Sequence, residues 1–266
     1  PFSEDSWLRA ASAIDYPSER RAAVVRALAR LNPGHPLLDV LARPDTFAVV
    51  TGQQVGLFSG PAYTLYKALT AAKLARQLSG QGIPAAPVFW LATEDHDFAE
   101  ISHCRVFDAS HRPLALAIDG RPSNQPVGAR PLPEVPVAAL RAALAEFAHG
   151  GEVADLVEEA YRPGRAIGDA FAHLLRRLLG PRILLLDPLE PALRRIAAPL
   201  LRRAVEAASD LSAKLLERNK ALDAAGYHAQ VRFEADTSLF FLLDGGNRVA
   251  MRREGASYKL GDRRLE

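Results

Sequence analysis

Hydrophobic positions along this chain change period several times, and each change marks an element. Early on, Ala22, Val25, Leu28, Ala29 and Leu31 recur at helical spacing behind Ser18-Glu19, and Asn32-Pro33-Gly34 ends the run, so the first 45 residues read as helical. The period then gives way to a continuous apolar stretch, Phe47-Ala48-Val49-Val50, with the length and β-branching of a buried strand over 47–51. From Ala62 to Leu78 the helical spacing returns, predicting a helix over 61–78 with Gly60 as its cap and Pro61 at its first position. A Gly80-Gln81-Gly82 turn leads to a second apolar run, 86–92, in which Pro87 favours the first positions of a strand. Strand, helix, strand within about 45 residues is the βαβ signature of a parallel sheet.

Further along, short strands are predicted at 104–107 and 113–118, and the proline-rich stretch 121–136 reads as an irregular connection. Helices follow at 136–148, 152–161 and 165–179, then a third buried strand in Arg182-Ile183-Leu184-Leu185-Leu186-Asp187-Pro188. Two more helices, 191–208 and 212–225, precede a hairpin in which 238–243 and 248–252 flank Asp244-Gly245-Gly246-Asn247. The pattern predicts an α/β fold with a parallel sheet core, a helical insertion and a small β region. Residues 1–120 would form the first part of the core with the N-terminal helices, 121–180 the insertion, and 181–266 the rest of the core plus the hairpin. The start at Pro1 and the charged stretch 262–266 read as those of a fragment, truncated at its C-terminus.

Two segments carry candidate chemistry. In Thr51-Gly52-Gln53-Gln54-Val55-Gly56-Leu57-Phe58-Ser59-Gly60-Pro61, glycine recurs every fourth position between strand and helix. That spacing is neither a dinucleotide fingerprint nor a Walker loop. Such a loop either uses its glycines only for a tight turn or exposes backbone N–H groups to an anionic or polar ligand. Thr51, Gly52, Gln53, Gln54, Gly56, Ser59 and Gly60 are therefore candidate binding residues, joined by Tyr63 and Lys67 on one face of the following helix.

The second segment is Thr93-Glu94-Asp95-His96-Asp97, directly after a strand apolar enough to be buried on both faces. The C-terminal end of such a strand faces the crevice where open α/β sheets bind ligands. In extended backbone Glu94 and His96 would face one way, Asp95 and Asp97 the other. His96 is a candidate acid/base flanked by Asp95 and Asp97, with Glu94 a substrate-binding carboxylate. Asp95 or Asp97 is also expected to cap a helix beginning at Phe98. Glu94, His96, Asp97 and His103 match no strong metal spacing, so no metal is expected. Cys104, in an apolar strand, reads as a buried, inert thiol, and Asp187 would reach the same sheet edge or simply belong to an Asp-Pro turn.

Composition narrows the class. At 48% hydrophobic and 24% charged residues the chain is an ordinary globular protein, and its net charge of +2 gives no reason to invoke nucleic acid or a membrane surface. Only five of its 33 basic residues are lysine, so arginine clusters such as Arg202-Arg203 read as solvated faces. A single cysteine excludes an internal disulfide and suits a reducing cytoplasm. No apolar run reaches the roughly 18 residues of a spanning helix, and no signal peptide pattern is visible.

With TGQQVGLFSGPAYTLYKA (51–68) and FWLATEDHDFAEI (89–101) both in place, the chain closely resembles the bacillithiol biosynthesis cysteine-adding enzyme family. AYRPGRAIGDAFAHLL (160–175), ILLLDPLEPALRR (183–195) and GYHAQV (226–231) extend the likeness along the chain. The resemblance implies a ligase that joins the cysteine carboxyl group to the amine of glucosaminyl-malate. It also implies a Rossmann-like core akin to class I aminoacyl-tRNA synthetases, a coiled coil used for homodimerisation, and a full-length protein considerably longer than this chain. By position, 51–61 and 94–97 would bound the substrate crevice. Gln53-Gln54 stands where a HIGH-type pair would be, and Tyr258-Lys259-Leu260-Gly261 is only a faint echo of a KMSKS-type loop, so ATP is left open as a co-substrate. Two other readings compete: an adenylate-forming nucleotidylyltransferase, and a non-catalytic module assembling through the helices between 136 and 225.

Overall fold

The protein is described here from a computed structural model, over residues 4–229, 237–255 and 257–265. Gln230 and Val231 of the GYHAQV motif lie outside the described residues. Contacts divide the chain into two compact units, Pro1–Ile196 and Ala197–Glu266. The boundaries expected at 120 and 180 both fall inside the first unit.

At the centre of that unit is a three-stranded parallel sheet ordered β1 (Phe47–Gln54), β2 (Ala85–Ala92), β5 (Leu184–Leu186). The central strand β2 is buried on both faces, which explains its unbroken apolar run. Leu28 of α2 (Ser18–Leu31) and Leu38 and Leu41 of α3 (Leu37–Ala42) cover Ala86, Val88 and Leu184 on one face. Ala68 and Ala71 of α4 (Tyr63–Gly80), with Phe171 and Leu175 of α8 (Ile167–Leu179), cover Phe89, Leu91 and Leu185 on the other. The outer edge of β5 is closed by a side chain. Asn32, buried at the end of α2, donates through Nδ2 to the Leu185 carbonyl (2.7 Å) and accepts the Leu185 N–H at Oδ1 (2.8 Å). Its amide thus takes the place of a neighbouring strand.

Around the core stand α1 (Glu4–Ser12), the short α5 (Phe98–Ile101), a β3–β4 hairpin (His103–Phe107 with Pro113–Ala117), α6 (Val137–Leu144) and α7 (Gly150–Ala160). The elements match the expected ones in kind and order, with shifted ends. The first strand runs through Gln54 rather than stopping at 51, because Thr51 to Gln54 pair in register with Phe89 to Ala92. The next helix starts at Tyr63, with Ala62 in the cap position and no side-chain cap, so Gly60 and Pro61 precede it instead of opening it. Pro87 is third in β2, where its missing N–H costs little because the ladder to β5 begins at Val88.

Thr93, fully buried just beyond β2, is the packing centre of this end of the sheet. A Cβ on Gly128 would lie 2.4 Å from the Thr93 Cβ, and one on Gly168, in the first turn of α8, 3.0 Å from its Cγ2. The Thr93 carbonyl accepts the Gly128 N–H (3.0 Å), and its hydroxyl donates to Asp187 at the end of β5.

In the second unit, α9 (Pro191–Glu206), which begins in the first, and α10 (Ala208–Ala224) precede a four-stranded antiparallel meander. Its strands β6 (Thr237–Asp244), β7 (Asn247–Glu254), β8 (Ser257–Leu260) and β9 (Arg263–Leu265) pair in chain order. Gly245 and Gly246 are both left-handed (φ 55° and 82°), as a two-residue hairpin turn of type I′ requires. The last two strands were not expected. Tyr258, Lys259 and Leu260 belong to β8, and the Tyr258 hydroxyl donates to the Val205 carbonyl (2.8 Å), so the faint KMSKS echo is a strand. No described helix is long and apolar enough to cross a membrane.

The tight seat of Thr93 makes a paired prediction. Gly128→Ala overpacks the core and should cost about 1–3 kcal/mol. Gly151→Ala, where an added Cβ meets nothing within 4 Å in α7, should be neutral or gain up to about 1 kcal/mol. Urea unfolding of the two variants checks the contrast.

Candidate functional site

The glycine loop is built from close backbone approaches. Opposite Trp90 in the ladder, Gly52 has no room for a Cβ, which would lie 2.6 Å from the Trp90 carbonyl oxygen. Lys67 reaches back from α4 and donates to the Gly52 carbonyl (3.0 Å) and to Gln53 Oε1 (2.8 Å), with its ammonium 5.4 Å from the Tyr63 ring centre. Gln53 Nε2 in turn donates to Gln54 Oε1 (2.8 Å) and the Tyr63 hydroxyl (3.3 Å). One network thus fixes Gln53, Gln54, Tyr63 and Lys67, and the lysine's charge is directed at the loop's own oxygens.

Beyond it, Leu57–Ser59 make a single 3-10 turn. Phe58 (φ 50°), Ser59 (φ 75°) and Gly60 (φ 66°) are all left-handed. Glycine adopts this backbone freely, but Phe58 and Ser59 each carry a penalty of roughly 1–2 kcal/mol. The chain crosses itself here: a Cβ on Gly56 would come within 2.8 Å of the Gly60 Cα. Tyr161, fully buried just after α7, spans the turn from beneath. Its hydroxyl accepts the Ser59 N–H (3.2 Å) and donates to the Gly56 carbonyl (3.0 Å), and its ring meets Phe58 edge-on at 5.2 Å. Burial pushes its ionisation up, so it stays a neutral phenol.

Between this loop and the segment from α5 to β3 lies a cleft of about 380 Å³. Gln53, Gln54, Gly56, Gly60 and Tyr63 line one side, and Glu100, His103, Cys104 and Arg105 the other. Of the candidates in the loop, Thr51, Gly52, Ser59 and Lys67 do not line the cleft; Gly52, Ser59 and Lys67 support it through the bonds above. The cleft wall offers a carboxylate and a guanidinium together. Burial, then repulsion from Asp95 and Asp97, raises the Glu100 carboxyl above its ordinary value. Cys104 is buried, and desolvation pushes its thiol up to about 11, as expected for an inert cysteine. Sequence reasoning missed Glu100, Arg105 and Tyr161 as parts of this site. Alternation in β3, buried Cys104 beside exposed Arg105, was the available signal for the arginine.

The acidic turn adds no lining residue to that cleft but leads into α5, which carries Glu100. Strand geometry ends at Ala92, and the Thr93 N–H folds back on the Leu91 carbonyl (2.8 Å), so the alternating arrangement expected for 94–97 does not form. Asp97 caps α5, accepting the Glu100 N–H at 3.2 Å. Asp95 Oδ1 accepts the His96 N–H (2.7 Å) and lies 3.3 Å from His96 Nδ1, leaving the exposed imidazole beside a carboxylate that orients it. Glu94 is half-buried. Trp90 Nε1 donates to its Oε1 (3.3 Å), and its Oε2 is buried without a partner. Burial chiefly, with repulsion from Asp187 and Asp95, raises its carboxyl. Asp187 is raised as well, again by burial first, against the bonds it accepts from Thr93 and the Leu189 N–H (2.9 Å). The ends of β2 and β5 thus bring two carboxyls of raised proton affinity to one sheet edge.

A parallel sheet with helices on both faces, whose strand ends carry the polar groups, defines a Rossmann-like α/β protein. Residues 7–266 match the family model described as "Bacillithiol biosynthesis BshC, N-terminal Rossmann-like domain", and the chain belongs to that family. It is 55% identical over 262 residues to a protein of Solibacter usitatus named "Putative cysteine ligase BshC", covering 98% of this chain and 50% of that one. Proteins of the same name from Koribacter versatilis and Salinibacter ruber are 36% and 38% identical, over 97% and 79% of this chain and 47% and 39% of their own lengths. The chain spans about half the length of these curated relatives.

Two outcomes follow from the electrostatics. With its thiol buried and its ionisation raised to about 11, Cys104 should react with a thiol reagent at pH 8 only slowly in the native protein and rapidly in denaturant. Because Glu94 holds its proton more tightly folded than unfolded, its contribution to stability is fully present below the unfolded value and lost as pH rises through the folded one. Glu94→Gln, whose amide oxygen can still accept from Trp90, should therefore be more stable than the parent at pH 8 and equal to it in acid. Thermal melts across pH check this.

Proposed function

We propose that this chain supplies the substrate crevice of a cysteine ligase of bacillithiol biosynthesis, in which the cysteine carboxyl group is joined to the amine of glucosaminyl-malate. The observation that carries the reading is the cleft between the glycine loop and the α5–β3 segment, where Glu100 and Arg105 set opposite charges on one wall beside the amides of Gln53 and Gln54. Glucosaminyl-malate presents carboxylates and an ammonium, and this wall matches both. Arg105 takes a malyl carboxylate, and Glu100 faces the ammonium.

Amide formation requires the amine to lose a proton before it attacks an activated carboxyl carbon. On this reading His96, oriented by Asp95, accepts that proton at the rim of the strand ends. Asp97 caps the helix that carries Glu100, and Glu94 adds negative potential favouring an ammonium nearby. Gln53, Gln54, Gly56, Gly60 and Tyr63 form the opposite wall, and Gly52, Ser59 and Lys67 brace it, with Thr51 preceding them in β1. The full-length protein is a cytoplasmic homodimer on the same reading.

Turnover assays on the full-length enzyme test the assignment. Arg105→Ala is expected to raise the KM for glucosaminyl-malate about tenfold, equivalent to about 1.4 kcal/mol, with kcat nearly unchanged. His96→Ala should instead lower kcat by about 100-fold, within the usual range for a general base. Unchanged kinetics in both variants would sink the reading.

A further inference from the structure

The loop that walls the cleft is held in a conformation that its own residues do not favour. Phe58 and Ser59 are both left-handed without being glycine. Beneath Gly60, in the first turn of α4, Thr64 is fully buried and its hydroxyl has no hydrogen-bond partner, a cost this arrangement also carries. Something outside the loop has to offset these terms, since a free segment would relax to negative φ and hydrate the hydroxyl.

Among the described residues, one side chain hydrogen-bonds to both halves of the turn. The Tyr161 hydroxyl, about a hundred residues away in sequence, bridges the Ser59 N–H and the Gly56 carbonyl from inside the core. Lys67 and Gln53 hold only the strand side of the loop. We propose that Tyr161 is a positioning residue that latches the Gly56–Gly60 turn in its strained form and thereby shapes the wall formed by Gly56, Gly60 and Tyr63. The phenol touches no substrate; it acts through the backbone it holds. Being neutral, it can donate and accept at once, which a carboxylate or an ammonium in its place could not do. Its effect on substrate rests on the reading of the cleft as the glucosaminyl-malate site, whereas its effect on the loop does not.

Tyr161→Phe in the full-length enzyme separates these claims. The ring stays packed against Phe58, so the fold is retained, and amide exchange in β2 at Phe89 and Leu91 reports whether it is. The informative amide is Gly60, which donates to the Leu57 carbonyl (2.9 Å) within the strained turn and makes no bond to Tyr161. Its exchange should accelerate at least tenfold in the variant, with β2 unchanged. The KM for glucosaminyl-malate should rise about tenfold while kcat stays within about twofold, the signature of lost uniform binding. Unchanged Gly60 exchange overturns the proposal. Faster Gly60 exchange with an unaltered KM also overturns it, reducing Tyr161 to a packing residue. If the wild-type enzyme does not turn over glucosaminyl-malate, the substrate reading falls, and the latch stands or falls on Gly60 exchange alone.

Discussion

The arrangement around the sheet's C-terminal edge depends on the seat of one threonine. Thr93 is fully enclosed, and it fits only because Gly128 and Gly168 present bare backbone to it. Its carbonyl ties down the proline-rich connection, its hydroxyl engages Asp187, and its own N–H turns the chain away from strand geometry. Four separate stretches of sequence converge there, and none could sit elsewhere without opening a cavity or a clash. The acidic turn, the short helix it caps and the cleft beyond all take their positions from that convergence.

The cleft itself is built from opposed costs. On one wall, left-handed backbone at Phe58 and Ser59 is offset by a buried phenol, while a lysine is spent on the Gly52 carbonyl and the Gln53 amide oxygen. On the other, burial first and then the fields of Asp95 and Asp97 raise the proton affinity of Glu100. Such groups contribute little to stability, and several detract from it. A surface optimised only for folding would relax the turn and disperse the carboxylates.

Much of this was legible in the residues. Unbroken apolar runs at 47–50 and 86–92 and the helical period between them dictate the βαβ core, because a strand buried on both faces has no polar side to show. The Asp-Gly-Gly-Asn tetrad dictates the terminal hairpin, and Asp97 was one of two aspartates expected to cap the following helix. What stayed hidden depends on contacts distant in sequence. Nothing near Tyr161 announces that its hydroxyl will meet Gly56, and nothing in Glu94–Asp97 shows that the chain turns at Thr93 instead of running on extended. Gly52, Gly56 and Gly60 looked like a ligand-cradling repeat. Gly52 and Gly56 are required first by close approach of backbone, and Gly60 by its positive φ. The wall they form follows from that packing.

Asn32 closes the far edge of β5 with a single carboxamide, pairing donor for acceptor with Leu185 as a strand would. An unpaired edge of an apolar, parallel sheet invites addition of further chains. By ending the ladder with a side chain, the protein sets the width of its sheet at this border through one residue of a helix. Growth by strand recruitment is thereby denied at a place where the apolar sequence Ile183-Leu184-Leu185-Leu186 would otherwise favour it.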